Sequence, residues 1–578
     1  MIQYPGSSYP TKATRVSIKA SQIYLIKSRN ETVSKSSVLF APSGRADIPK
    51  TPLKFPLDWD TDPYQDRNWC AQLHMWRMMD DYLLRFDRSR NIAWMKMPLA
   101  IIEDYFRYHI KERKRSRFAW KDMMVGLRAM KLAYVFSAHL AGHLELSAKQ
   151  LRACQRLIQR HVRFLTDERH IQYSNHTFID IHGAMALAQV VSDDDQEIIL
   201  RLVDRVLPTL LTTQFSRAGL HLENSPGYQR FAIGCLKRLQ RATWFRAYDV
   251  DALLERAEDA ERWLMMPDGR TPAIGDTDGK APNIGDKLPV DLSPQGEIRH
   301  ESGYVIVKRR GTSGASRDAS YLFLMGAYNS PVHKQSDDLS FVWFEGVDII
   351  CDAGKYAYNS DEFAAYARST RAHNTIEIDA TDYYEASGRD QAETYGSAVT
   401  EASQREWGYL IAAEVEHRRF SAIHSRVLLY GPGSWLLVID RLHSDRPHSY
   451  TQWFHFSPSS EARIEGDRPL VVLPDTRSLS VIIAASAPVD LEKLHGVREP
   501  RTQGWISQGY GQMTPNDTLG AHLQSNNAVI ATLLCIGDRG STLHLDDVSR
   551  PHLSLRTQLE TQNLLVTLGN DGIEVERQ

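Results

Sequence analysis

The 578-residue chain is short of the features that define the specialised protein classes. It has five cysteines, Cys70, Cys154, Cys235, Cys351 and Cys535, scattered and without CxxC spacing. That excludes a disulfide scaffold and a zinc knuckle and leaves free thiols. It has no excess of either charge: 69 Lys and Arg against 71 Asp and Glu give a net charge of −2. A global basic field for nucleic acid or an anionic membrane is therefore missing, and a polyanion has to be gripped locally. The run Lys111-Glu-Arg113-Lys114-Arg115-Ser-Arg117 reads as a solvated helix boundary before it reads as such a grip. No stretch approaches the roughly 18 apolar residues of a membrane span. The first thirty residues lack the apolar core of a secretory signal, so the expected location is cytoplasmic. A trimmed or mis-started N-terminus would make it periplasmic or secreted instead.

What is present is ordinary globular composition, 42% hydrophobic and 24% charged, enriched in 24 Tyr, 12 Trp and 21 His. Aromatic planes and imidazoles suit a carbohydrate cleft, and they equally suit a large core. The length predicts two to four domains. Helical periodicity runs through 69–86, 94–110, 122–140, 147–165, 175–191, 195–211, 225–245 and 250–266, with no strand between. Successive helices of this kind make a bundle, a solenoid or a closed α/α toroid, and the lack of a constant repeat disfavours the solenoid. Near residue 280 the pattern changes. Beyond 300 the period is two, as in YVIVKRR (304–310), LSFVWFEGVDIICDAG (339–354), SWLLVIDRL (434–442) and NAVIATLLCIG (527–537). Such strands without helices between them predict an antiparallel β-sandwich. The expected division is an N-terminal extension at 1–56 with one hairpin in RVSIKASQIYLIK, an α/α toroid at 57–285, and a β-sandwich at 286–578.

Four constellations carry chemistry. In Tyr173-Ser-Asn175-His176, Ser174 or Asn175 reads as an N-cap with His176 on the first turn. Asp180 follows one turn on, where its carboxylate would fix the imidazole tautomer. In Glu223-Asn-Ser-Pro-Gly-Tyr228, the Ser–Pro step starts a helix and puts Tyr228 on its first turn. The turn-rich Asp268…Asp276-Thr-Asp278 reads as a structural junction. The densest constellation runs His333-Lys-Gln335-Ser-Asp337-Asp338-Leu-Ser340, then Asp352…Tyr356-Ala-Tyr358, then Tyr366…Arg371-Ala-His373-Asn374-Thr. A merely solvated sheet face would be rich in Lys, Glu and Thr, whereas this one is rich in His, Asp, Tyr and Arg.

With SNHT, ExSxxY, DGxxPxIGDxD, HxxxDxLSF, DxGxYxY and RSTxAHNT in this order, the chain resembles the heparinase II/III family of polysaccharide lyases, which includes oligo-alginate lyases of similar architecture. The resemblance spans about 60–560 and implies β-elimination on a uronic-acid polysaccharide in a cleft between toroid and sandwich. It implies Asn175 and His333 as neutralisers of the uronate carboxylate, Tyr228 as general acid or as acid and base together, and His176 as a second base. A phenol with pKa near ~10 needs a neighbouring cation to act as a base, and Arg371 or His333 are the candidates. Glu223, Tyr358 and Tyr366 are further candidates for the site. The family commonly reads HxHxDxLSF, its second histidine joining an aspartate and a later histidine on zinc. Here Gln335 stands at that position, while Asp352 and His373 match the other two ligands. An amide oxygen is a weak zinc ligand, so weak or absent zinc is expected. The implied partner is an anionic polysaccharide or oligosaccharide, with no nucleic acid and no membrane insertion. The alternatives are a glycoside hydrolase on the same toroid, with Glu223 and Asp276 as its carboxylates, or a silent glycan-binding protein of capsule or exopolysaccharide assembly.

Overall fold

The computed structural model describes residues 17–578 apart from 28–30, 35–36, 46, 279–292, 312–317, 327–328, 331, 359–360, 384–394, 466–467, 538–539, 549–552, 560–561 and 570–571. The expected domain boundary at 285/286 lies outside the described residues. The chain divides into two compact units, one formed by residues up to Gly219 with Phe231–Ala257, the other by Leu220–Arg230 with Glu258–Gln578.

The first unit is helical. Its helices are α1 (Arg67–His74), α2 (Asp80–Ser89), α3 (Lys96–Phe106), α4 (Met123–Leu140), α5 (Ala148–Leu165), α6 (Asn175–Ala188) and α7 (Asp193–Thr213). The greater parts of α8 (Pro226–Ala242) and α9 (Val250–Leu264) also belong to it. Nearly every residue of α4 is buried, as its apolar circumference requires. It meets α6 at Gly126 and Gly183, where a Cβ on Gly183 would lie 2.5 Å from the Gly126 carbonyl oxygen. Only two glycines let these backbones touch.

The single helix expected over 69–86 is broken. Trp76 takes a left-handed conformation (φ 55°) between α1 and α2. The break is held by two cations from α4. Arg128 Nη1 donates to the His74 carbonyl at 2.6 Å, and Lys131 Nζ donates to those of Met75 and Trp76 at 2.5 and 2.9 Å. Lys131 also pairs with Asp80 Oδ1 at 2.7 Å, in the first turn of α2. Charged side chains thus satisfy the carbonyls that end α1 and the dipole that starts α2. The hairpin expected at 15–27 is also replaced, for its described part. Ile18 and Ile23 sink into the helical core around a 3₁₀ turn at Ala20–Gln22. The backbone N–H groups of Ile18 and Ile26 go to Ser137 Oγ and Asp80 Oδ2, so no partner strand is needed. The strands Glu31–Ser34, Ser37–Phe40 and Thr51–Lys54 form a small antiparallel sheet instead.

The second unit stacks antiparallel sheets. A five-stranded sheet (297–350) buries Val305, Val307, Leu322 and Trp343 with Ile411, Leu428, Val438 and Leu534 of a ten-stranded sheet. The ten-stranded sheet packs its other face, Leu410, Leu429 and Leu437, with Leu555 and Val566 of a C-terminal four-stranded sheet. The five-stranded sheet turns Ile306, Tyr321 and Phe323 toward Leu220, Trp263 and Leu264. Strands covered on both faces read as continuous apolar runs, which is why YVIVKRR shows little alternation. Two long strands, Trp435–His455 and Asp517–Ile536, pair along their whole length with one irregularity between His443 and His448.

Candidate active site

Three segments of the second unit are tied together before any of their chemistry is considered. Ser225 Oγ and the Gly227 N–H both bond Thr277 Oγ1 at 2.9 Å, which seats the first turn of α8 on the 268–278 loop. Gly275 (φ 55°) runs so close to Asn224 that a Cβ would stand 2.4 Å from its carbonyl oxygen. Asn224 Nδ2 donates to the carbonyls of Ser330 and Val332 at 2.6 and 3.0 Å and so holds the segment that carries His333.

On this frame the His333 imidazole lies flat on the Tyr228 ring, centroids 3.5 Å apart and planes 17° apart. The Tyr228 hydroxyl meets that of Tyr358 at 2.6 Å. All three rings are half-buried, with a wall of buried polar groups behind them. His333 Nδ1 bonds Asp276 Oδ2 at 2.8 Å, and its Nε2 lies 3.5 Å from Glu223 Oε2. Gln335 Nε2 donates to the other oxygen of Asp276 at 2.9 Å. Burial alone would raise the Asp276 carboxyl, but His333 and the Gln335 amide hold it below the usual range, so it is ionised. Burial, then the charge of Asp276, pushes both phenols well above their ordinary value. His221, behind Glu223, is driven down to about 4 by burial and is neutral. Lys355 sits 5.4 Å from the Tyr358 ring centre and 3.2 Å from Asp278.

Other expected residues lie apart from this cluster. Tyr366 is 1% exposed and accepts the Trp505 N–H with its hydroxyl. Arg371 lies in the field of Arg501, Glu377, Asp382 and Tyr366, and the charged group beside the phenols is Lys355, with the His333 imidazole stacked on Tyr228. Asp276, read from the sequence as structural, proves to be the partner of His333. Its GDxD motif gave the signal but not the direction in which its carboxylate points. Lys355 and His221 carried no signal at all.

In the helical unit, Asn175 is the first residue of α6 and is buried, not its cap, and Ser174 makes no side-chain cap bond. His176 Nδ1 pairs with Asp122 Oδ1 at 2.8 Å, whereas Asp180 accepts the Gly126 N–H at 3.1 Å. The expected His176–Asp180 pairing is thus corrected. Asp180 is drawn toward the α4 crossing, and Asp122 reaches the imidazole from the start of α4. Asp122 does so in a strained conformation (φ 56°, ψ −152°) that is ordinarily left to glycine. The two carboxyls are driven apart. Despite burial, Asp122 is lowered by His176, while Asp180 is raised to about 8 by its surroundings and by the charge of Asp122.

The residues expected at a zinc ion do not fit one. The Asp352 carboxylate bonds His373 Nδ1 at 2.9 and 3.1 Å and also accepts from Ser340 Oγ and the Gly354 N–H. Gln335 brings a neutral amide whose Nε2 is spent on Asp276. Among the described residues no group of three His, Cys, Asp or Glu side chains converges as a metal site. The neighbouring Asn374 is a structural pin, donating to the carbonyls of Phe341 and Cys351 and accepting the His455 N–H.

The family model of the heparinase II/III N-terminus matches residues 12–284, and that of the heparinase II/III-like C-terminal region matches 297–532. A solved structure of Heparinase III superposes with a TM-score of 0.69 at 13% identity, covering 88% of this chain and 85% of that one. A mutant of heparan sulfate lyase HepC from Pedobacter heparinus gives 0.63 at 16% identity, covering 96% and 92%. A second Heparinase III gene product, with methylated lysines, gives 0.65 at 14%, covering 93% and 88%. Comparison with curated protein sequences found no significant match. At such identities the structures speak for the fold, a helical toroid followed by antiparallel sheets, and the two family models, which between them span most of the sequence, speak for descent: the chain belongs to the heparinase II/III family of polysaccharide lyases.

Proposed function

We propose that this lyase cleaves a uronic-acid-containing polysaccharide by β-elimination. The observation that carries the reading is the stacked Tyr228–His333 pair, with Tyr358 at the phenol and ionised Asp276 behind the imidazole. In such a reaction a base removes the C5 proton beside the uronate carboxylate. The C4–O4 bond breaks, and an acid protonates the departing oxygen. Negative charge accumulates on the carboxylate, so a donor fixed against it lowers the barrier. His333 spends Nδ1–H on Asp276 and meets a substrate with Nε2. When that nitrogen also carries a proton, the charge of Asp276 compensates the imidazolium. Tyr228, held as a neutral phenol, is the proton donor to O4, and Tyr358 passes or shares the proton across their short contact. Asn175 as amide donor and His176 as the C5 base rest on the family resemblance and on local geometry. Asp122 on Nδ1 leaves the Nε2 of His176 as the basic nitrogen.

A glycoside hydrolase would need two carboxylates facing each other across a sugar. Glu223 and Asp276 instead lie on opposite ring nitrogens of His333, and Glu223 is 2% exposed. The test is a panel of heparan sulfate, alginate, hyaluronan and bacterial capsules. Ultraviolet absorbance of an unsaturated uronate is expected on one of them. New reducing ends without that absorbance would establish a hydrolase, and no cleavage of any acidic glycan would overturn the reading.

A further inference from the structure

At the place where the chain departs from the zinc pattern, Gln335 and His333 both bond Asp276. We infer that Gln335 and Asp276 are a positioning pair for His333, standing where a metal ligand would otherwise be, and that the enzyme works without zinc. The inference rests on the proposed role of His333 at the substrate.

Three side chains form one line of hydrogen bonds. Gln335 Nε2 donates to Asp276 Oδ1 at 2.9 Å, and His333 Nδ1 bonds Asp276 Oδ2 at 2.8 Å. Gln335 and Asp276 are 1% and 8% exposed, so neither exchanges its partner for water at low cost. A carboxylate held at one oxygen alone can swing. Held at both, its plane is fixed, and so is the direction in which it accepts the imidazole N–H. The stack on Tyr228 then fixes the remaining tilt of the ring. His333 itself has a left-handed backbone (φ 57°), a conformation that persists only when its surroundings over-determine it. A carboxylate accepts and does not donate, so the 2.8 Å bond from Asp276 to Nδ1 selects the Nδ1–H form, with Nε2 on the other side of the ring 3.5 Å from Glu223 Oε2.

A zinc ion would need the side chain at 335 to offer imidazole, thiolate or carboxylate. The amide offers none, and its donor end faces Asp276. Its Oε1 is buried without a hydrogen-bond partner, as is His373 Nε2. A neutral amide oxygen, one imidazole and one already bonded carboxylate are a poor donor set for zinc. The same residue that removes the metal therefore supplies the hydrogen bond that keeps Asp276 in place.

The test uses the full-length protein and three variants, Gln335→Met, Asp276→Asn and His333→Ala. Zinc is measured after incubation with zinc chloride and desalting. Ring ¹⁵N spectra are recorded on histidine-labelled protein, with the His333 signals assigned by their loss in His333→Ala. Wild type is expected to hold far less than one zinc per chain and to show a single Nδ1–H tautomer at His333. Gln335→Met should give mixed tautomers and a kcat reduced about 10–100-fold at nearly unchanged KM and melting temperature. Asp276→Asn should lose more, about 10²–10⁴-fold, as when a catalytic imidazole is left in the wrong tautomer. One zinc per chain whose removal abolishes turnover would overturn the inference. So would a wild-type tautomer and kcat in Gln335→Met while His333→Ala is inactive. Full activity in His333→Ala would instead bring down the role of His333, and this inference with it. The zinc and ¹⁵N readings decide even if no glycan on the panel is cleaved.

Discussion

Tyr228 differs from phenylalanine by one hydroxyl, and that hydroxyl bonds the hydroxyl of Tyr358 within the proposed site. Tyr228→Phe is therefore expected to fold and melt like wild type while kcat falls roughly 10²–10⁴-fold. Circular dichroism with initial rates on the cleaved glycan checks both halves. Asn175→Ala should likewise lose turnover while keeping the helix-cap position, which belongs to Ser174. Asp180 makes a pH prediction. Its folded pKa of about 8 lies above the ordinary carboxyl value near ~4, so between those limits the unfolded chain has released a proton that the native chain keeps. Its contribution is present in acid and is lost as pH rises toward 8. Asp180→Asn keeps an oxygen for the Gly126 N–H and cannot ionise. The variant should gain melting temperature over wild type at pH 8 and gain little at pH 5. Its partial exposure reduces the size of the effect, not its sign. At this scale the sequence was half legible. Residue types and spacing singled out His333 and Tyr228, because an SP step starts a helix and clustered polar residues stand out among strands. Asp122 and Asp276 were not legible as partners, since which carboxylate reaches an imidazole depends on loops that no local pattern encodes.

Elements were legible wherever one local period decided them. The helices α4 to α9 fall within a few residues of their apolar periods. The interruption at Trp76 escaped because its cause sits some fifty residues away, in Arg128 and Lys131. That cause is testable. Lys131→Met removes the cap on Met75 and Trp76 and leaves Asp80 buried with less compensation, at an expected cost of about 3–5 kcal/mol. Pairing it with Asp80→Leu should recover part of that loss, since the second change removes the stranded charge. Denaturant midpoints of the two single variants and the double variant form the cycle. Additive losses would mean that the ion pair is not what holds the break.

On the scale of the whole molecule, the change of period near residue 280 announced helices followed by sheets, and the described structure has that order. The length of the central strands was hidden. The alternation seen at 434–442 and 527–537 covers only part of Trp435–His455 and Asp517–Ile536. Their remaining halves include polar residues that are buried, for example Gln452, which donates to Asp440 and accepts from Thr532. A buried polar pair reads as solvent-facing until its partner is known. This central pair should hold the most protected backbone of the second unit. Native-state hydrogen exchange is expected to leave the amides of Leu437–Ile439 and Ala531–Leu533 for last, opening with the four-stranded sheet that covers them. Earlier exchange there than in the hairpin strands Gly408–His417 and Ala422–Gly431 would contradict it.

The same pairing sets a kinetic consequence. Trp435 lies opposite Cys535, a hundred positions further along the chain, and the intervening strands can zip locally long before that loop closes. Because closure must precede the contacts that reward it, assembly of this sheet is expected to be the slow phase of refolding. Until then, a half-made sheet exposes the edge of Trp435–His455 to other copies of the chain. Refolding yield should therefore fall as protein concentration rises, whatever the stability of the finished fold.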